Sequence, residues 1–598
     1  MSVEICRKRM LEEIVEVSSK RLKTELKWIT PSSTRNYALK NALVDWFNCH
    51  GESNGFVKDA SKFTPTIMDN GHVFEEKINN LLKLKFGNLY IHLGGCHANS
   101  DSTEIYCKTL KALRDGIPII SSGILRDEDE RIFGCPDLMI RSDYISQILR
   151  FSPFESKEYK EYKVETPAPL IEGTNYHYFI VDVKNTALKL LSNGLYLSNT
   201  GSIPAYKTQL YLYHRILSKI QGYDSGLAFI LGKSVAFGKD YKGDYFDRFG
   251  LIDYKENDDE IVKTAKGAVE WLREVESKGG EWDVYNPTRP EMFPNMTCDS
   301  DYPWSSAKKQ VAKRTEEITL LWNCGIRERR LAHLNGIYKL SDPRLTTEIM
   351  DIKGERKRII DNLLKVNKSD NNKIIETNNL HIPVYDHEFY VDFETMNNDV
   401  DNDLRVDSNF IYMIGVYYKN NIHPEASSFC YFMADDFTRN EEESVCKGFV
   451  EFLNEIKIKS KKLLHWGKHE QTTWEKVLKR HPSVEKEWKK YSVEWVDLYS
   501  LVTKTPVVVK GAYKFSVKEM ANSLCKQGLI KSCYKDSLIG DGLEATIAVI
   551  DAWKESKEKN IKLTQTDIIK DIIDYNELDC ILLEEIVDCI RKQYISTV

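Results

Sequence analysis

The chain has no Cys-x-x-Cys pair, no ferredoxin-like cysteine run and no Cys/His ladder, although it holds 13 cysteines in 598 residues. Zinc fingers and Fe–S clusters need such spacings, and disulfide frameworks belong to short secreted chains, so reduced intracellular thiols are expected. No apolar run comes near the ~20 residues of a membrane span. The basic N-terminal stretch with Arg7, Lys8, Arg9, Lys20, Arg21 and Lys23 has no signal-peptide core. The expectation is a soluble intracellular protein, in cytoplasm, nucleoid or nucleus, without a membrane partner. A basic excess is missing too: 84 Lys and Arg against 90 Asp and Glu leave −6. That balance does not exclude nucleic acid, because clustered carboxylates offset basic grooves. Internal repeats are absent. So is a phosphate-cradling loop. In Gly226-Leu227-Ala228-Phe229-Ile230-Leu231-Gly232-Lys233-Ser234 the glycines stand one residue too far apart for a Walker A motif, and the apolar residues between them read as a buried strand.

What is present is ordinary globular composition, 42% hydrophobic and 29% charged, at a length that suits roughly three to five domains. Residues 1–34 carry the pattern of a helical arm, read as a solvated helix face or a phosphate-binding arm. Helices and short strands alternate over 35–285, with strand candidates at 178–183 and 227–231. Residues 286–364 read as a helical, basic connector, and 365–384 as a linker that opens on a Lys- and Asn-rich stretch. A second α/β pattern fills 385–598.

The C-terminal part holds the most informative spacings. In Phe389-Tyr390-Val391-Asp392-Phe393-Glu394 two carboxylates are two residues apart, on one face of a strand. The surrounding aromatics mark the strand as buried, where unpaired carboxylates are costly. In Asp574-Tyr575-Asn576-Glu577-Leu578-Asp579 a phenol and a carboxylate are four apart, on one face of a helix. Between these lies Lys462-Leu463-Leu464-His465-Trp466-Gly467-Lys468-His469-Glu470, a strand, a glycine turn and an acid at the head of a helix. Clustered carboxylates call for a hard divalent cation, Mg²⁺ or Mn²⁺, and two such ions suit phosphodiester hydrolysis.

This order resembles the DEDD exonucleases of the ribonuclease-H-like fold, in their tyrosine subclass. The resemblance implies a mixed sheet with flanking helices and 3′→5′ hydrolysis with two metals. It implies Asp392, Glu394, Glu470 and Asp579 as ligands, and Tyr575 as the group that orients or deprotonates the attacking water. Typical members have Asp where this chain has Glu470. Asp497, in Trp495-Val496-Asp497-Leu498, is held as a helix cap.

A second constellation lies upstream. The turn Gly134-Cys135-Pro136-Asp137 leads into an apolar strand, and 45 residues later Val181-Asp182-Val183-Lys184 ends another. Asp137 and Asp182 suit a metal, and Lys184 suits an attacking water or the developing phosphorane charge. Gly71-His72-Val73-Phe74-Glu75 opens a helix that offers Glu75, with Glu76 as its competitor. Gln209 and Tyr213 share a helix face suited to DNA contact. The series resembles the RecB-like PD-(D/E)XK nucleases over about 70–215, with Asp182 in place of the commoner Glu. That implies a restriction-endonuclease-like core with one or two metals. Between the two halves, Trp322-Asn323-Cys324-Gly325-Ile326-Arg327 and Arg330 resemble a degenerate helix-hairpin-helix with one glycine missing; plain helical packing is the other reading. Lys308, Lys309, Lys313 and Arg314 would add a basic face.

The expectation is an α/β multidomain protein with two metal-dependent nuclease sites, acting on DNA and preferentially single strands. Alternatives are one active site with the other half as a nucleic-acid scaffold, or a non-catalytic nucleic-acid-binding protein. No reader of a 2′-hydroxyl is visible, so RNA stands beside DNA. A helicase that feeds the enzyme is a candidate protein partner and repair a candidate pathway, and no residue selects either.

Overall fold

The computed structural model describes residues 27–59, 64–95, 103–172, 175–369, 375–396, 406–458, 460–534 and 542–595. Of the expected N-terminal arm, residues 1–26 lie outside these. The chain divides into two compact units, one of residues 1–60, 68–294 and 298–309, the other of 61–67, 295–297 and 310–598. Both are α/β with mixed sheets. Among the described residues there is no disulfide, and no helix is long and apolar enough to cross a membrane.

The sheet of the first unit runs Tyr90–His92, Ile119–Ser121, Leu138–Arg141, Tyr178–Lys189, Leu227–Phe237, Tyr241–Asp244, with Gly250–Asp253 also paired to Leu227–Phe237. Its central strand, Tyr178–Lys189, alternates as a strand buried on both faces must. Phe179, Val181 and Val183 enter one core, while Tyr178 and Ile180 enter the other. Asp182 and Lys184 share the parity of Tyr178 and Ile180. That face is covered by the helix Ile203–Gln221, which has Pro204 in its first turn and ends at Gly222, whose φ of +69° is easy only for glycine. The near-Walker stretch is part of the buried strand Leu227–Phe237, as its apolar residues imply.

The second unit is built on a five-stranded sheet in the order Ser428–Met433, Phe410–Asn420, His387–Met396, Ser460–His465, Ser492–Asp497. The first three strands are antiparallel neighbours, and the last two run parallel to His387–Met396. Phe389, Val391 and Phe393 pack against Val445, Phe449 and Trp474 from the helices Arg439–Glu455 and His469–Arg480. The opposite face, which carries Tyr390, Asp392 and Glu394, is covered by the long helix Ile568–Ile595.

Four expectations need correction. The connector expected over 286–364 is not a body of its own. Ile318, Leu321, Cys324, Ala332 and Ile337 share one core with Leu498, Val502, Leu582 and Ile586. The 365–384 linker is ordered where described: Ile375, Leu380 and Ile382 join that core, and Ile375–Glu376 pairs with Val508–Val509. A few apolar side chains anchor a stretch whose composition is otherwise polar. The helix-hairpin-helix reading fails upstream of Gly325, where residues 318–320 form a single 3₁₀ turn and only Ile326–Leu334 is an α-helix. Arg327 is exposed and pairs with Asp351, and Arg330 is exposed. Lys308, expected on a basic face, is fully buried, paired with Asp301 and donating to the Cys298 carbonyl at 2.5 Å.

Candidate active sites

In the second unit Asp392 stands opposite Gly415 in the sheet register, and Glu394 opposite Met413. Gly415 is required by close approach. A Cβ there would lie 1.6 Å from Oδ1 of Asn576, which the helix Ile568–Ile595 presses against the strand. Asn576 is fully buried, and its Nδ2 donates to Asp392 Oδ2 at 2.8 Å and to Glu394 Oε1 at 3.4 Å. One turn further along the helix, Asp579 accepts the phenol hydrogen of Tyr534. Asp392, Glu394, Glu470, Tyr575 and Asp579 line one open pocket of about 360 Å³. Gly415→Ala is therefore expected to cost more than the roughly 1–3 kcal/mol usual for core overpacking. Thermal unfolding checks this, and a melting temperature equal to the parent's would refute the close approach.

Glu470 reaches the pocket because Gly467, at φ +94°, turns the chain from the strand Ser460–His465 into the helix His469–Arg480. His465 Nδ1 lies 3.1 Å from Glu470 Oε2 and fixes it. Asp497 is a cap, as expected. It accepts from Ser500 N at 3.1 Å and from Gly467 N at 3.0 Å, which also ties down the Glu470 turn.

The carboxylates repel one another. Burial, then Glu394, Asp579 and Glu470, hold the Asp392 carboxyl well above the usual range. Burial, then Asp579, pushes Glu394 up to about 7, and burial raises Asp579. Burial and the same acids raise the Tyr575 phenol, so it stays protonated and can donate. Among the described residues no three His, Cys, Asp or Glu side chains are closed around a point that could hold an ion as they stand. Hydrogen bonds from Asn576, Tyr534 and His465 occupy the oxygens instead. The donor set, four mutually repelling carboxylates with hard oxygens, fits Mg²⁺ or Mn²⁺.

In the first unit Lys184 Nζ lies 2.6 Å from Asp182 and 3.8 Å from Asp137. Asp137 Oδ2 also accepts from Val183 N at 2.7 Å, so the turn and the strand are locked together. Burial, with Asp137 adding to it and Lys184 opposing, pushes Asp182 up to about 8. Burial alone would lower Lys184, but Asp182 and Asp137 outweigh it and hold the ammonium charged. Glu75, half-buried in the helix Thr64–Phe86, is pushed up to about 7 by burial and Asp137, with Lys184 opposing. Glu76 is exposed, which decides between the two. The donors are again hard oxygens, and fit the same cations.

Tyr213 does not serve as a surface contact. It is buried, its hydroxyl 3.4 Å from the Cys135 carbonyl, and a Cβ at Gly134 would come within 2.8 Å of its ring. Gln209 hydrogen-bonds to it. The pair supports the turn that carries Asp137. Periodicity placed both residues on one helix face, and that face turned out to be the covered one.

Three residues of the second site were not singled out from sequence. Asn576 lay inside the Tyr575–Asp579 spacing and could have been found there. Tyr534 and Lys518 have no local pattern. Lys518 stands 5.2 Å from the Tyr534 ring and 5.4 Å from the Tyr575 ring, bringing positive charge towards Asp579 and Glu394.

No protein-family model, curated protein or solved structure matches this chain.

These raised carboxyls carry a pH signature. Asp182 moves from 3.8 to about 8, and Glu75 and Glu394 from 4.5 to about 7. A raised folded-state value gives stability that is full below the unfolded value and lost as pH rises through the folded one. Between pH 6 and 9, where ordinary carboxylates are already ionised, the protein in EDTA should lose melting temperature as pH rises. Mn²⁺ should flatten the slope. A flat profile in EDTA would contradict the repulsion described.

Proposed function

We propose that the chain is a metal-dependent nuclease with two sites, a RecB-like PD-(D/E)XK site in the first unit and a DEDD-type 3′→5′ exonuclease site in the second. The observation that carries this is the convergence of Asp392, Glu394, Glu470 and Asp579, from three separate segments of the chain, on one open pocket beside Tyr575. The mixed sheet with helices on both faces, and the acid-bearing strand at its centre, supports the ribonuclease-H-like assignment. In the first unit the support is the grouping of Glu75 from a helix, Asp137 from a turn, and Asp182 and Lys184 from the central strand.

Asp392, Glu394, Glu470 and Asp579 would hold the ions in the second unit, and Glu75, Asp137 and Asp182 in the first. Bound there, Mg²⁺ or Mn²⁺ would polarise the phosphate and acidify a water. Tyr575, kept protonated, orients the attacking water by donation. Lys518 brings positive charge to the same acids. Lys184 stabilises charge on a phosphate oxygen when a cation takes over its hold on Asp182. A nucleic acid, single-stranded DNA first, is the substrate class.

One observation favours the reading in which the first unit only binds nucleic acid: Lys184 already pairs with Asp182, where a cation would bind. Degradation of 5′- and 3′-labelled single-stranded DNA and RNA with Mg²⁺, Mn²⁺ or EDTA tests the proposal. Metal-dependent loss of label from the 3′ end is expected. Absence of cleavage of both polymers with either metal would sink it.

A further inference from the structure

We infer that Asn576 is a positioning residue that sets the spacing of Asp392 and Glu394 and thereby the affinity of that pair for a divalent cation. The inference rests on the metal-dependent reading of the second unit and goes beyond its ligand set. Asn576 is fully buried and reaches one oxygen of each acid with the same Nδ2. The orientation of the amide follows from the acids, since turning Oδ1 towards two carboxylates would set acceptor against acceptor. With Nδ2 so engaged, Oδ1 faces Gly415 and has no hydrogen-bond partner among the described residues. A buried acceptor left unmet is costly, and the sheet gives up a side chain at residue 415 to let it stand there. Both concessions are accounted for if the donor contact to the acids is what is held in place.

The first unit supplies the contrast. There a charged donor, Lys184, pairs with Asp182 at 2.6 Å, lies 3.8 Å from Asp137, and offsets one of their two charges. An amide holds two carboxylates together without cancelling theirs, so the pair stays close and still attracts a cation. It takes one oxygen of each acid, and the Tyr412 hydroxyl lies 3.5 Å from the other Glu394 oxygen.

Two measurements on the full-length protein without nucleic acid test this: Mn²⁺ binding by calorimetry, and melting temperature in EDTA and in Mn²⁺. Asn576→Ala should weaken Mn²⁺ binding about 10–100-fold, as loss of an outer-shell partner does. Asn576→Asp should melt lower than the parent in EDTA but gain more on adding Mn²⁺, because it adds a carboxylate in the same place. If Asn576→Ala does not fold, Asn576→Ser, whose hydroxyl is too short to span both acids, should show the same weakening. A residue that merely packs would leave the Mn²⁺ affinity and the Mn²⁺-induced gain at the parent's values, and that result overturns the inference. A parent protein that binds no Mn²⁺ overturns the nuclease reading as well, which separates the two failures.

Discussion

Asp392→Asn should lower metal-dependent release of 3′-terminal nucleotides by about 10³-fold or more, the scale on which an essential active-site group is lost. The same substitution should raise the melting temperature in EDTA. Asp392 is buried among Glu394, Asp579 and Glu470, and its charge is opposed by burial and by all three. An asparagine keeps the shape and can still accept from Asn576, while one of the like charges disappears. Activity and stability should therefore move in opposite directions, which a misfolded variant cannot imitate. Labelled-strand hydrolysis and thermal unfolding of the same preparation read both. A variant that loses activity and stability together would mean that Asp392 is a structural acid.

Lys184→Met should act in the other sense and destabilise the first unit strongly. Lys184 is the counter-charge for Asp182, which is 1% exposed, and for Asp137. Removing one partner of a buried pair costs about 3–5 kcal/mol, a fall of roughly 10 °C in a unit of this size. The loss should shrink at pH 5, well below the value of about 8 to which Asp182 is pushed, because the acid is then neutral. Asp182→Asn in the same chain should restore most of the stability at pH 8, where the acid would otherwise take up its charge. Thermal unfolding of the single and double variants at pH 5 and 8 measures this. Additive losses in the double variant would show that the pair is not coupled.

The acids of the second site were legible in the sequence because each sits at a spacing that one element enforces: two residues along a strand, four along a helix. Glu470 was legible from the strand–glycine–acid order, and its hold by His465 was not, since that depends on how the turn closes. Tyr534 and Lys518 come from segments with no pattern of their own and meet the site only through packing. Asn576 was visible as a residue and not as a partner, because its role depends on the absence of a side chain at Gly415, more than 160 residues earlier. In the first unit the i, i+2 relation of Asp182 and Lys184 held. Periodicity identifies the face of the helix Ile203–Gln221 that carries Gln209 and Tyr213 without saying what covers it, so its burial is not legible in the sequence. The order of the 365–384 segment is hidden for a related reason: composition averages obscure Val366, Ile375, Leu380 and Ile382, which tie it to the core.

The most direct test of two separate metal-dependent sites is hydrolysis of 3′- and 5′-labelled single-stranded DNA in Mn²⁺ by Asp182→Asn, Asp392→Asn and the double variant. Each single variant should lose a different class of product, Asp392→Asn the 3′-terminal nucleotides, and the double variant should lose all cleavage. Hydrolysis by the double variant at the parent's rate would contradict the account.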